Sequence, residues 1–98
     1  MRPRIDDLNM APGVMAPDKV LDTVLRAQSD ANVRFEDLRQ LVQALGFDER
    51  VKGDHHIFSR TGIPEIINLQ PLRNGKAKAY QVKQVRRLVT RYHLGVAP

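Results

Sequence analysis

Residues 47–70 read FDERVKGDHHIFSRTGIPEIINLQ, and the punctuation of this stretch decides the fold. Glycines at 53 and 62 divide it into three extended runs, 47–52, 54–60 and 65–70. Gly53 is the expected turn or bulge between the first two. Thr61-Gly62-Ile63-Pro64 makes the second turn. Runs joined this closely pair as neighbours in an antiparallel sheet.

Helical patterns lie on both sides. Upstream, Phe35, Leu38, Leu41, Val42 and Leu45 recur at helical spacing, with Glu36 and Asp37 in the first turn, where the helix dipole favours negative charge. Gly46 follows as a left-handed cap. Further upstream, Pro17 suits a first helical turn, and Val20, Leu21, Val24 and Leu25 support a short helix over 17–27. Gln28 to Asn32 is a polar connector, and residues 1–16 form an aperiodic lead-in. Downstream, 71–78 is a loop with Asn74-Gly75 at its tip. A last helix over 79–93 buries Val82, Val85, Leu88, Val89 and Tyr92 and ends at Gly95. The order is α-α-β-β-β-α, an α+β two-layer sandwich. The segment 1–32 is an N-terminal extension, and 33–95 is the domain proper.

Composition narrows the chemistry. At 98 residues the chain supports one domain with a modest core, and its 5% aromatic content makes that core aliphatic. The absence of cysteine excludes a disulfide framework, thiol chemistry and a Cys-based zinc site, and fits a reducing cytoplasm. The charged N-terminus does not resemble a secretory signal, and no apolar run approaches the roughly 20 residues that cross a bilayer. Charge is unevenly placed. Through Glu65 the chain carries nine basic and eleven acidic residues; beyond it there are seven basic residues and no acid. This asymmetry suits a polyanionic partner such as RNA, DNA or an acidic protein, although a solvated basic helix face is the plainer alternative. On the last helix, Lys83, Arg87 and Arg91 form a ridge with Arg86 beside it.

The candidate chemistry is concentrated in Gly53-Asp54-His55-His56. Side chains alternate faces along a strand, so one histidine faces the helices and the other faces away. Two structural histidines are the default reading of such a pair. Adjacent strand residues do not readily share one metal ion, and His93 is remote in sequence. There is no P-loop, dinucleotide fingerprint or Ser-His-Asp signature, and nothing supports Ser29 or Ser59 as a nucleophile.

Four strings then fall in a telling order: Leu45-Gly46-Phe47, Gly53-Asp54-His55-His56-Ile57-Phe58, Asn68-Leu69-Gln70, and Lys76-Ala77-Lys78-Ala79-Tyr80-Gln81-Val82 followed by Gln84-Val85. Over residues 34 to 94 the chain resembles HicA-type toxins, the mRNA interferases of bacterial type II toxin–antitoxin pairs. The resemblance implies a fold like a double-stranded-RNA-binding domain, endonucleolytic mRNA cleavage that arrests growth, and inhibition by a HicB-type antitoxin. It places the catalytic histidine on His55, with Gly53, Asp54 and His56 as motif support. The family usually carries a small residue where this chain has Asp54. The first 32 residues extend beyond the minimal family domain.

The expected mechanism needs neither metal nor cofactor. His55 acts as general base or acid near neutral pH, with His56, solvent or a substrate group as its partner. Lys52, Lys76, Lys78, Lys83, Arg86 and Arg87 attract the RNA backbone. Scarce aromatics imply little base stacking and little sequence preference. The competing reading is a non-catalytic RNA-binding module that recognises A-form shape.

Overall fold

The computed structural model describes residues 15–97, so the lead-in lies outside the described residues up to residue 14. Three helices and three strands follow: α1 (Pro17–Arg26), a 3-10 turn (Asp30–Asn32), α2 (Phe35–Ala44), β1 (Asp48–Lys52), β2 (His55–Arg60), β3 (Ile63–Leu69) and α3 (Ala79–Tyr92). The strands form one antiparallel sheet in sequence order, with β2 in the middle. The α+β class and element order are as expected from the sequence.

The β1–β2 hairpin is tight. Lys52 pairs with His55, leaving Gly53-Asp54 as a two-residue loop. Gly53 takes φ +62° at the first loop position, where a type II′ turn calls for glycine. Asp54 therefore belongs to the turn and not to the strand. The second turn is also shorter than its sequence suggests: Ile63 and Pro64 lie within β3. Proline is tolerated there because β3 is an edge strand and the register is already irregular between Phe58 and Arg60.

Alternation sets the core. Phe58, Ile67 and Leu69 are buried on one sheet face, against Leu38, Leu41 and Val42 of α2 and Val82, Val85 and Leu88 of α3. On α1, Val20 and Val24 join the same core, but Leu25 is 45% exposed because it lies about 100° further round the helix than Val24. At the end of α3, His93 rather than Gly95 supplies the left-handed cap, with φ +52°. The Leu94 amide then reaches back to the Val89 carbonyl.

The N-terminal extension is bound to the domain by more than apolar contact. Arg86 of α3 donates to both Asp30 carboxylate oxygens, at 2.9 and 3.0 Å, and to the Val24 carbonyl at 3.0 Å. One guanidinium thus ties a carbonyl near the end of α1 to the carboxylate that opens the 3-10 turn.

This clamp has a defined pH signature. The Arg86 hydrogen bonds hold the Asp30 carboxyl below its ordinary value of 3.8. A carboxylate with a lowered folded-state pKa stabilises above its unfolded value and loses that stabilisation as pH falls through the folded one. Arg86→Ala should therefore cost about 1–3 kcal/mol in urea unfolding at pH 7. The difference between variant and wild type should shrink progressively below pH 3.8. A pH-independent difference would show that Asp30 is not the partner that matters.

Candidate active site

The two histidines part as strand geometry requires, and the structure decides which is which. His56 shares the inner face with Phe58. Its ring meets Phe35 edge-on at 4.9 Å between centroids, and its Nδ1 lies 2.7 Å from Glu49 Oε2. A carboxylate oxygen only accepts, so the proton is on Nδ1. Glu49 also takes two hydrogen bonds from Arg39, at 2.7 and 2.8 Å, and one from Gln43 at 3.0 Å. The Arg39 pairing holds the Glu49 carboxyl below its ordinary range. A single carboxylate thus joins β1, β2 and α2, with His56 as one of its donors. His56 is a structural residue, and it lies across the sheet from His55.

His55 is on the open face with its side chain 47% exposed. Its Nδ1 is 3.2 Å from Asn68 Oδ1 on β3. An amide oxygen only accepts, so in this contact Nδ1 carries the proton and Nε2 is left for other partners. Nε2 lies 3.7 Å from Asp54 Oδ1. Asp54 in turn accepts from Gln70 Nε2 at 2.8 Å, and Gln70 Oε1 accepts from Lys78 Nζ at 2.9 Å. The Gln70 hydrogen bond, with attraction from His55 and Lys78, keeps the Asp54 carboxyl below the usual range. Asp54 is therefore anionic at neutral pH and tied into a network that ends on a cation.

The predicted cations divide by position. Lys52 is directly opposite His55 across the β1–β2 pair, on the same open face. Lys78 reaches the site through Gln70. Lys76 donates to Asn32 Oδ1 at 3.0 Å, at the bridge between Arg34 and Lys76. Lys83 and Arg87 are exposed on α3, where they line a shallow groove of about 550 Å3 with Thr90 and Arg91. Arg86 borders the same groove but its guanidinium is committed to Asp30 and Val24. Arg91 leans towards Glu65, with 3.3 Å between charged atoms.

Residue-type reasoning missed Asn68, Gln70, Tyr80 and Gln84 as neighbours of His55, because neutral side chains of this kind carry no signal of their own. They share with His55 a depression of about 210 Å3 between β3 and the start of α3. Arg50 was also missed, although its spacing of two from Lys52 places it on the same face. It lines a neighbouring trough with Ile57 and Ile66. Among the described residues, no three His, Cys, Asp or Glu side chains are placed to share a metal ion. No helix among them is long and apolar enough to cross a membrane.

The opposite environments of the histidines predict opposite phenotypes. His56→Ala removes a ring contact and a charge-assisted hydrogen bond and should destabilise by about 1–3 kcal/mol. His55→Ala should stay within about 0.5 kcal/mol of wild type, as an exposed substitution does. Urea denaturation at pH 7 measures both, and equal losses would contradict the assignment. Among known proteins, no family model, curated protein or solved structure matches this chain.

Proposed function

We propose that the protein is a ribonuclease toxin of the HicA type, cutting mRNA with His55. The observation that carries the reading is convergence. The strings behind the resemblance are separate in the chain, yet His55, Asn68, Gln70, Tyr80 and Gln84 line one depression, and Asp54 and Lys78 are joined to it through Gln70. The order α2-β1-β2-β3-α3, with helices on one face of an antiparallel sheet, accords with the double-stranded-RNA-binding-domain architecture of that family. A HicB-type antitoxin in the cytoplasm is the partner this reading calls for.

The chemistry follows from the geometry. RNA carries its own nucleophile, the 2′-hydroxyl. His55 Nε2 takes the proton as the 2′-oxygen attacks the adjacent phosphorus. The P–O5′ bond breaks, and the leaving oxygen takes a proton from water. The products are a 2′,3′-cyclic phosphate and a 5′-hydroxyl. The imidazolium formed in this step has Asn68 Oδ1 on one nitrogen and the Asp54 carboxylate near the other, so its charge is met on both sides. Lys52, opposite His55, is positioned to face charge growing on the phosphate. Lys83 and Arg87, which make no ion pair or hydrogen bond among the described residues, extend a cationic track along α3.

Cleavage of end-labelled RNA in EDTA tests the reaction. Wild type should cut, and His55→Ala should lose about 10²–10⁴-fold, the usual contribution of a general acid or base. Equal cleavage by both would remove His55 from the mechanism. RNA bound equally well but cut by neither would favour the RNA-binding module. A second test concerns the cationic track. Removing one cation that touches a phosphate should flatten the plot of log affinity against log salt by about 0.7 for single strands. Lys52→Ala and Arg87→Ala should each show that change, and Arg86→Ala should show it least.

A further inference from the structure

We infer that Tyr80 and the amides beside it form a seat for one unpaired nucleobase next to His55, which makes single-stranded RNA the substrate class. The inference rests on the ribonuclease reading and adds to it a binding element.

Tyr80 is the most exposed of the large apolar side chains among the described residues, at 64%, and it is in the first turn of α3, where it lines the depression that holds His55. Exposure of an aromatic ring to water is unfavourable, and a chain with 5% aromatic residues has few to place there. The ring is also held in place. The Tyr80 hydroxyl accepts from Gln81 Nε2 at 3.3 Å, while Gln81 Oε1 accepts from the Gln70 backbone amide at 3.2 Å. Gln81 is only 3% exposed, so Tyr80 is braced from the protein interior and does not need to be ordered when a ligand arrives.

The rest of the depression has the chemistry of a base edge. Asn68 uses its oxygen on His55, and its Nδ2 donates to nothing among the described residues. Gln84 places its nitrogen at 3.5 Å from the Ile66 carbonyl, and its Oε1 accepts nothing among them. One donor and one acceptor therefore remain beside an exposed ring, and this is the combination that recognises an unstacked base. The volume of about 210 Å3 is below the ~300–1,000 Å3 of pockets for drug-sized ligands and suits a single ring system. A base in a duplex is stacked on both sides and paired at its edge, so it cannot enter. The cations of α3 are one to two turns beyond Tyr80, positioned for the phosphates that follow.

The test uses a fluorescein-labelled, 2′-O-methylated 12-mer of mixed sequence, which binds without being cut, and a wholly abasic 12-mer of equal charge. Wild type should bind the base-containing oligomer more tightly than the abasic one. Tyr80→Ala should weaken binding of the first by about 5- to 150-fold, the range for one base–aromatic stack, and leave the second unchanged. Tyr80→Phe and Tyr80→Trp should still prefer the base-containing oligomer, because the ring face supplies the contact and the hydroxyl only braces it. Cleavage of single-stranded RNA should fall for Tyr80→Ala, while duplex RNA of the same sequence stays uncut by every variant. Equal affinity of Tyr80→Ala and wild type for the base-containing oligomer, or equal cleavage of duplex and single strand, would overturn the base seat. Failure of wild type to bind either oligomer or to cut any RNA would instead overturn the ribonuclease reading beneath it.

Discussion

Burial of Phe58 is the constraint on which the site depends. Phe58 is fully buried on the middle strand, facing Ile67 on one neighbour and Glu49 on the other. A strand has a period of two, so anchoring one residue assigns a face to every other. With Phe58 inward, His56 is also inward and His55 is outward. A slip of one residue would expose Phe58 to water and bury His55. The cost of exposing a large aromatic side chain, about 1.5–3 kcal/mol, guards the outward orientation of His55.

The inner and outer faces then solve opposite problems. Inside, Glu49 is an anion close to the core, and it is made tolerable by donors from Arg39, Gln43 and His56. That cluster locks α2 to the sheet. Outside, the Asp54–Gln70–Lys78 chain keeps a second anion beside His55 without leaving it uncompensated. The toxins that the chain resembles usually have a small residue at that position. Here the carboxylate is joined to a cation through one amide, so its charge is compensated where it stands beside His55. The chain carries both halves of this arrangement, Asp54 in a hairpin turn and Lys78 at the foot of α3.

The N-terminal extension shows how a basic residue is withdrawn from one role by another. Arg86 belongs to the basic stretch that sequence alone assigns to phosphate binding. Its position on α3 turns it towards α1, where Asp30 and the Val24 carbonyl engage both terminal nitrogens of its guanidinium. Val20 and Val24 complete the core from the same side, so the extension's helix is packed as an integral part of the described domain.

Element order, helix stripes, the paired strands and the separation of the two histidines were all legible in the sequence, because each follows from a local period or a turn residue. Boundaries moved by a residue or two where glycine, proline or a left-handed residue admitted more than one ending, as at Asp54, Ile63 and His93. Which histidine faces outward was left open by the sequence, since alternation is symmetric between faces; the resemblance singled out His55 without assigning it a face. Packing broke that symmetry by covering one side with α2 and α3. The neighbours of His55 entered the sequence reading only as parts of the resembling strings, with no role assigned to them. Asn68, Gln70, Tyr80 and Gln84 are ordinary polar or aromatic residues along the chain. They become a site only when the turn after β3 folds α3 back along the sheet edge, and no local pattern encodes that approach.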